Sequence, residues 1–228
     1  MGTHGIGHPG HVVPPTLDIR RVTEEPGDDW RLLRVETDRG LVLARFYPGD
    51  GSPHGTLWVG EGLQPFDSPG DQLYATLARE LQALGVASLH VQPRYPGERD
   101  EVSLDLLLGA SLLQQRAVVA IALVAHGASG PAAVLAAAAS DAFVALALLS
   151  SPVAGAEHIG EVAPRPTLIV HGAKDDLVPV AAAHRLYAMA GEPRRLVLLE
   201  RAGHALAEAG ELPRTLLQWL TRHLLGSP

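Results

Sequence analysis

Two residues near the C-terminal end of the chain have the chemistry for proton transfer. Asp175 lies in His171-Gly172-Ala173-Lys174-Asp175-Asp176, and His204 in Ala202-Gly203-His204. A buried carboxylate beside an imidazole fixes its tautomer and stabilises the imidazolium formed on proton pickup. Asp176 is the rival acid, and a turn or helix-start role is the plainer alternative for either aspartate. His204 is alternatively an ordinary loop histidine. A third position is defined by what it lacks. Ala125-His126-Gly127-Ala128-Ser129 follows an apolar run and precedes Pro131 and an alanine-rich stretch. Small residues flanking one centre suit a tight strand-to-helix turn that presents a nucleophile. Here the centre is Gly127, which carries neither oxygen nor sulfur. Ser129 fits the centre poorly, because Pro131 would take the small position two residues on. Gly127 is therefore read as the nucleophile's seat, left without its nucleophile, with room beside His204 for a water.

The elements that must position these residues alternate regularly. After a hairpin over 29–37 and 41–47, strands are expected at 56–59, 86–91, 118–124, 143–149, 166–170 and 195–199. Helices are expected at 71–84, 102–116, 180–190 and 212–224, with another after Pro131. Such alternation predicts an α/β fold with a mostly parallel central sheet and helices on both faces. Sites then form at the carboxyl ends of the strands, where Gly127, Asp175 and His204 all fall. Only about a dozen residues separate Pro152 from Pro164, too few for a lid domain.

The chain order seat, acid, histidine resembles that of the α/β-hydrolases, and the resemblance runs from about residue 30 to the C-terminus. It implies that Asp175 orients His204, that His204 is the general base, and that Ala128 and Gly62 offer oxyanion-hole amides. The loop Val59-Gly60-Glu61-Gly62-Leu63 departs from the usual His-Gly pair. Its glutamate is similar to that of the compact, lidless dienelactone hydrolase branch, whose usual cysteine nucleophile is absent here. By that resemblance Glu61, Arg94 and His126 are substrate-binding candidates, and small esters or lactones the substrate class. From the residues alone, Glu61 is equally a solvated loop carboxylate, and Arg94 in Pro93-Arg94-Tyr95 reads sooner as a surface ion-pair partner than as a substrate ligand. An ionised Glu61 facing a developing oxyanion would oppose it.

Composition narrows the partners. The 228 residues carry a net charge of −7, from 18 basic and 25 acidic side chains, which argues against nucleic acid or an anionic membrane. There is no cysteine, so no disulfide and no thiolate nucleophile or metal ligand. No cofactor and no metal are expected; a small-molecule substrate or ligand is. No signal peptide or spanning segment is read, which makes a cytoplasmic setting the default. Residues 1–16, with His4, His8 and His11, read as a flexible tail or a weak metal-binding tract, and 17–228 as one domain. Three functions stay open: a dyad enzyme using water, a nucleophile-replaced serine or cysteine hydrolase, and a non-catalytic binding protein.

Overall fold

Three antiparallel strands lead the chain in the computed structural model, which describes residues 17–70 and 72–226. They are β1 (Ile19–Pro26), β2 (Arg31–Thr37) and β3 (Gly40–Tyr47). Then come β4 (His54–Val59), α1 (Leu73–Ala83), β5 (Ala87–Gln92), α2 (Arg99–Gln114) and β6 (Ala120–His126). The second half holds α3 (Gly130–Ala139), β7 (Phe143–Leu149), β8 (Thr167–Gly172), α4 (Ala181–Met189), β9 (Arg194–Leu199) and α5 (Leu212–Leu225). Among the described residues, nine strands join one sheet in the order β1-β2-β3-β5-β4-β6-β7-β8-β9. The tail expected at 1–16, with its three histidines, lies outside the described residues.

The strand chemistry explains the layering. In β2, Leu33 and Val35 alternate with polar residues, as suits strands with one covered face. From β4 to β8 the strands are largely buried on both faces, and the pairs from β5-β4 through β8-β9 are parallel, while β5 joins β3 antiparallel and β9 is a partly exposed edge strand. Along β6, Ile121, Leu123 and Ala125 enter one core with Leu106 of α2, Ala133 of α3 and Leu186 of α4. Ala122 and Val124 enter the other with Leu77 of α1 and Leu216 of α5. The buried alanines of α3 let that helix lie close on the sheet just beyond the elbow. A short 3-10 helix, Glu157–Val162, bridges β7 and β8, and no lid is present there.

Two expectations are corrected. β1 was not anticipated, because Ile19-Arg-Arg-Val-Thr-Glu-Glu-Pro has no apolar face; it is an exposed edge strand held by pairing with β2. The central strand starts and ends two residues later than its apolar run suggests, so His126 is its last residue.

The sheet order carries the functional consequence. From β4 the chain steps outward to β5, then returns across β4 to β6 and continues the other way. The boundary between β4 and β6 is thus the switch point at which α/β sheets open a crevice. Val59 pairs with Ala125. Two residues beyond each pair member stand Glu61 and Gly127.

Candidate active site

The elbow forms as its small residues allow. β6 ends in extended backbone at His126 and turns at Gly127, whose φ is +53°. A 3-10 turn, Gly127–Ser129, then passes into α3. A residue with a β-carbon would hold this left-handed conformation at a cost of about 1–2 kcal/mol.

Asp175 and His204 meet as the chain order implies. Asp175 follows β8 and His204 follows β9, and Asp175 Oδ2 accepts from His204 Nδ1 at 2.8 Å. Asp175 Oδ1 accepts from the amides of Leu177 and Val178, at 3.0 and 2.8 Å. Its side chain is fully buried. Burial alone would raise the Asp175 pKa, but these amides and His204 outweigh it and hold it below the ordinary value. Asp176 is exposed and takes no part.

Glu61, a site candidate by resemblance, enters the site by occupying the seat itself rather than by flanking it. Its Oε1 lies 3.2 Å from His204 Nε2 and accepts the Ala128 N–H at 3.2 Å. It also fills the place where a β-carbon on Gly127 would project. The room expected for a water beside His204 is therefore taken by a carboxylate. His204 sits between two acids. Burial would lower its pKa, yet hydrogen bonds and charge from Asp175 and Glu61 raise it above 6.5.

The glutamate is aimed by a braced loop. Ser129 Oγ donates to the Gly60 carbonyl at 2.6 Å, and Tyr74 Oη to that of Val59 at 3.2 Å. Asp67 accepts the amides of Gly62 and Leu63 at 3.0 and 3.1 Å. Gly60 must lack a side chain, because a β-carbon there would collide with Asp67. These bracing residues carried no motif. The one signal pointing to them was a hydroxyl at Ser129 in a turn that otherwise needs only small size.

The remaining expected site residues separate cleanly. His126 belongs to the site: its Nε2 lies 3.1 Å from the His204 carbonyl, its Nδ1 3.9 Å from Glu61 Oε2, and its ring 5.1 Å from that of His204. Burial lowers its pKa, prevailing over the hydrogen bond to the His204 carbonyl and the Glu61 charge, which raise it. Gly62 does not offer its N–H to a substrate, since Asp67 holds it. Arg94 is engaged within the fold instead. Its side chain is 3% exposed and spent on Asp105, Glu101 and the Arg39 carbonyl. His171, also unforeseen, is buried with Nε2 2.9 Å from the Val178 carbonyl and 3.3 Å from Asp175 Oδ2. A hollow of about 480 Å³ lined by Thr167, Arg194 and Trp219 lies at the amino ends of β8 and β9, away from this chemistry.

Comparison with known proteins agrees with the architecture. No protein-family model matches the chain. The uncharacterized protein YfhR of Escherichia coli K12 is 37% identical over 57 residues, 25% of this chain and only 20% of that protein. Among solved structures, dienelactone hydrolase from Anabaena variabilis superposes with a TM-score of 0.73 at 18% identity, over 89% of this chain and 99% of that one. The esterase domain of a Rhodothermus marinus protein gives 0.70 at 18%, over 86% and 99%. Est1E from Butyrivibrio proteoclasticus gives 0.70 at 16%, over the same shares. The chain has the α/β-hydrolase fold. Within that fold, the chain passes from β7 to β8 through one short 3-10 helix and no lid.

Proposed function

We propose that the protein hydrolyses small esters or lactones with water as the nucleophile, through Asp175, His204 and Glu61. The observation that supports this reading is Glu61 Oε1, in the seat of the missing nucleophile and within hydrogen-bond reach of His204 Nε2. A neutral imidazole has one N–H, and Asp175 takes it. The contact with Glu61 therefore needs a second proton between two acceptors, which makes His204 an acid and Glu61 a base.

The reaction then balances as follows. Glu61 removes a proton from water as its oxygen attacks the substrate carbonyl. Protonation cancels the carboxylate charge that would oppose the oxyanion and frees the Ala128 N–H to bind it. His204 gives its Nε2 proton to the departing alkoxide. The Glu61 proton passes back to His204, leaving acid and alcohol. Residue 127 forms no covalent adduct, since glycine has no nucleophilic atom.

The test compares wild type, His204→Ala and Glu61→Gln on activated short-chain esters and lactones, with a chelator present throughout. Removing a general acid or base should lower turnover by about 10²–10⁴-fold. In ¹⁸O-water a single turnover should label the product acid and leave Glu61 unlabelled. Equal rates in all three proteins would overturn the proposal. One observation favours the alternative, a non-catalytic binding protein: both expected oxyanion amides are already engaged, Ala128 by Glu61 and Gly62 by Asp67. Equal rates would leave that reading standing.

A further inference from the structure

We propose that Glu61, His126 and His204 form a binding site for a divalent transition-metal ion of the zinc class. The three residues each place a ligand atom within 4.8 Å of the others. The Glu61–His204 separation is 3.2 Å and the Glu61–His126 separation 3.9 Å. A tetrahedral ion with bonds of about 2.0–2.2 Å needs ligand atoms about 3.3–3.5 Å apart. The Glu61–His204 pair, through Oε1, lies just inside that spacing, and His126, which faces the other carboxylate oxygen, has to draw closer to complete the set.

The outer partners set the histidines for this role. Ligating imidazoles commonly donate their second N–H to a carboxylate or a backbone carbonyl, which turns the other nitrogen's lone pair to the ion. His204 Nδ1 faces Asp175 Oδ2 at 2.8 Å, a carboxylate that holds the proton on that nitrogen. His126 Nε2 faces the His204 carbonyl at 3.1 Å, which can only accept and so fixes the proton there. The nitrogens left over, His204 Nε2 and His126 Nδ1, are the ones turned towards Glu61. That carboxylate is itself oriented by the Ala128 N–H and by the loop that Asp67 and Ser129 brace.

Charge points the same way. His204 Nε2 and Glu61 Oε1 are two acceptors that need positive charge between them, and a metal ion supplies it as a proton does. Two imidazoles and one carboxylate suit zinc, cobalt or nickel better than calcium or magnesium, which prefer all-oxygen sites. Three protein ligands leave a fourth position for water or ligand. The proposal concerns the same side chains as the hydrolase reading but stands whether or not they hydrolyse anything.

The test is titration of the full-length protein with Co²⁺, read by visible absorption, and with Zn²⁺, read by calorimetry. Wild type should bind one equivalent with the intense visible bands of a low-coordinate cobalt site. Glu61→Gln and His126→Gln should each weaken that binding at least about tenfold, and Asp175→Asn about tenfold through misorientation of His204. Circular dichroism confirms that each variant is folded, and Glu61→Gln, at a partly exposed side chain, keeps the test decisive if His126→Gln is not. Absence of binding by wild type, or equal binding by wild type and Glu61→Gln, would overturn the proposal; in the second case the ion sits elsewhere, such as on the N-terminal histidines. Metal binding without ester turnover overturns the hydrolase reading alone. Turnover in chelator without metal binding overturns this one alone.

Discussion

Glu61 and Gly127 are complementary: the glutamate's Oε1 stands where the side chain of any other residue at 127 would begin. The pairing follows from register, each residue lying two places beyond the Val59–Ala125 pair on adjacent parallel strands. His204 Nε2 and the Ala128 N–H, both of which face the elbow, are turned to that oxygen. The elbow thus holds a carboxylate supplied by the neighbouring strand, and the glycine is what admits it.

Restoring a nucleophile therefore takes two changes. Gly127→Ser alone should lose about 1–3 kcal/mol of stability, from the left-handed backbone and the displaced Glu61 hydrogen bonds, and should gain little activity. Adding Glu61→Ala clears the seat. The double variant should turn over a chromogenic acetyl ester at least about tenfold faster than the single one. A single variant as active as the double would show that Glu61 does not control the seat.

Much of this architecture was legible in advance, and its gaps have physical causes. β7 matches its expected bounds, since Phe143–Leu149 is a continuous apolar run between breakers. The order of elbow, acid and histidine placed Gly127, Asp175 and His204 because strand ends set position in a parallel sheet. The lateral part was legible only through the resemblance that named Glu61, and not from any spacing. No spacing along the chain brings Glu61 to Gly127, 66 positions away; only the outward step to β5 and the return to β6 do so. The ion-pair reading of Arg94 holds, but at a buried position that no spacing showed, since its partners Asp105 and Arg39 come from α2 and the turn before β3.

Ser129 is a positioning residue for Glu61. It is 1% exposed, and its hydroxyl bonds the Gly60 carbonyl at 2.6 Å. Ser129→Ala should cost about 1–3 kcal/mol in urea denaturation, because a buried acceptor loses its donor. If Glu61 depends on that brace, the Glu61-dependent part of ester turnover should fall too. A variant with unchanged stability would mean the loop is held by Asp67 and Tyr74 alone.

Arg94 supports the fold, and its removal should show as lost stability without altered selectivity. Its guanidinium and amide both bond Asp105, whose side chain is fully buried. Arg94→Ala leaves that carboxylate unpaired and should cost about 3–5 kcal/mol. The Arg94→Ala, Asp105→Ala double variant should cost less than the sum of the two single changes, as expected of a coupled pair. The ratio of KM values for anionic and neutral esters should not change; a selective rise for the anionic ester would return Arg94 to the binding site.

His90 should make the protein acid-labile from just below neutrality. It lies on β5, opposite Arg45 of β3, with its ring edge-on to Phe66 and Tyr74 at 5.5 and 5.2 Å. Asp67 bonds it through the backbone, which opposes the shift, but burial and the Arg45 charge prevail and push its pKa down to about 3 from 6.5. The native state thus refuses a proton that the unfolded chain accepts. Above pH 6.5 neither state binds it and stability does not depend on this group. As pH falls from 6.5 towards 3, the unfolded state gains a proton and stability drops by up to about 1.4 kcal/mol per pH unit. His90→Leu removes the titration whatever it does to absolute stability. Urea unfolding between pH 7 and 5 should therefore show a shallower decline in the variant than in wild type. Parallel slopes would show that another group, such as the buried His126, carries the acid sensitivity.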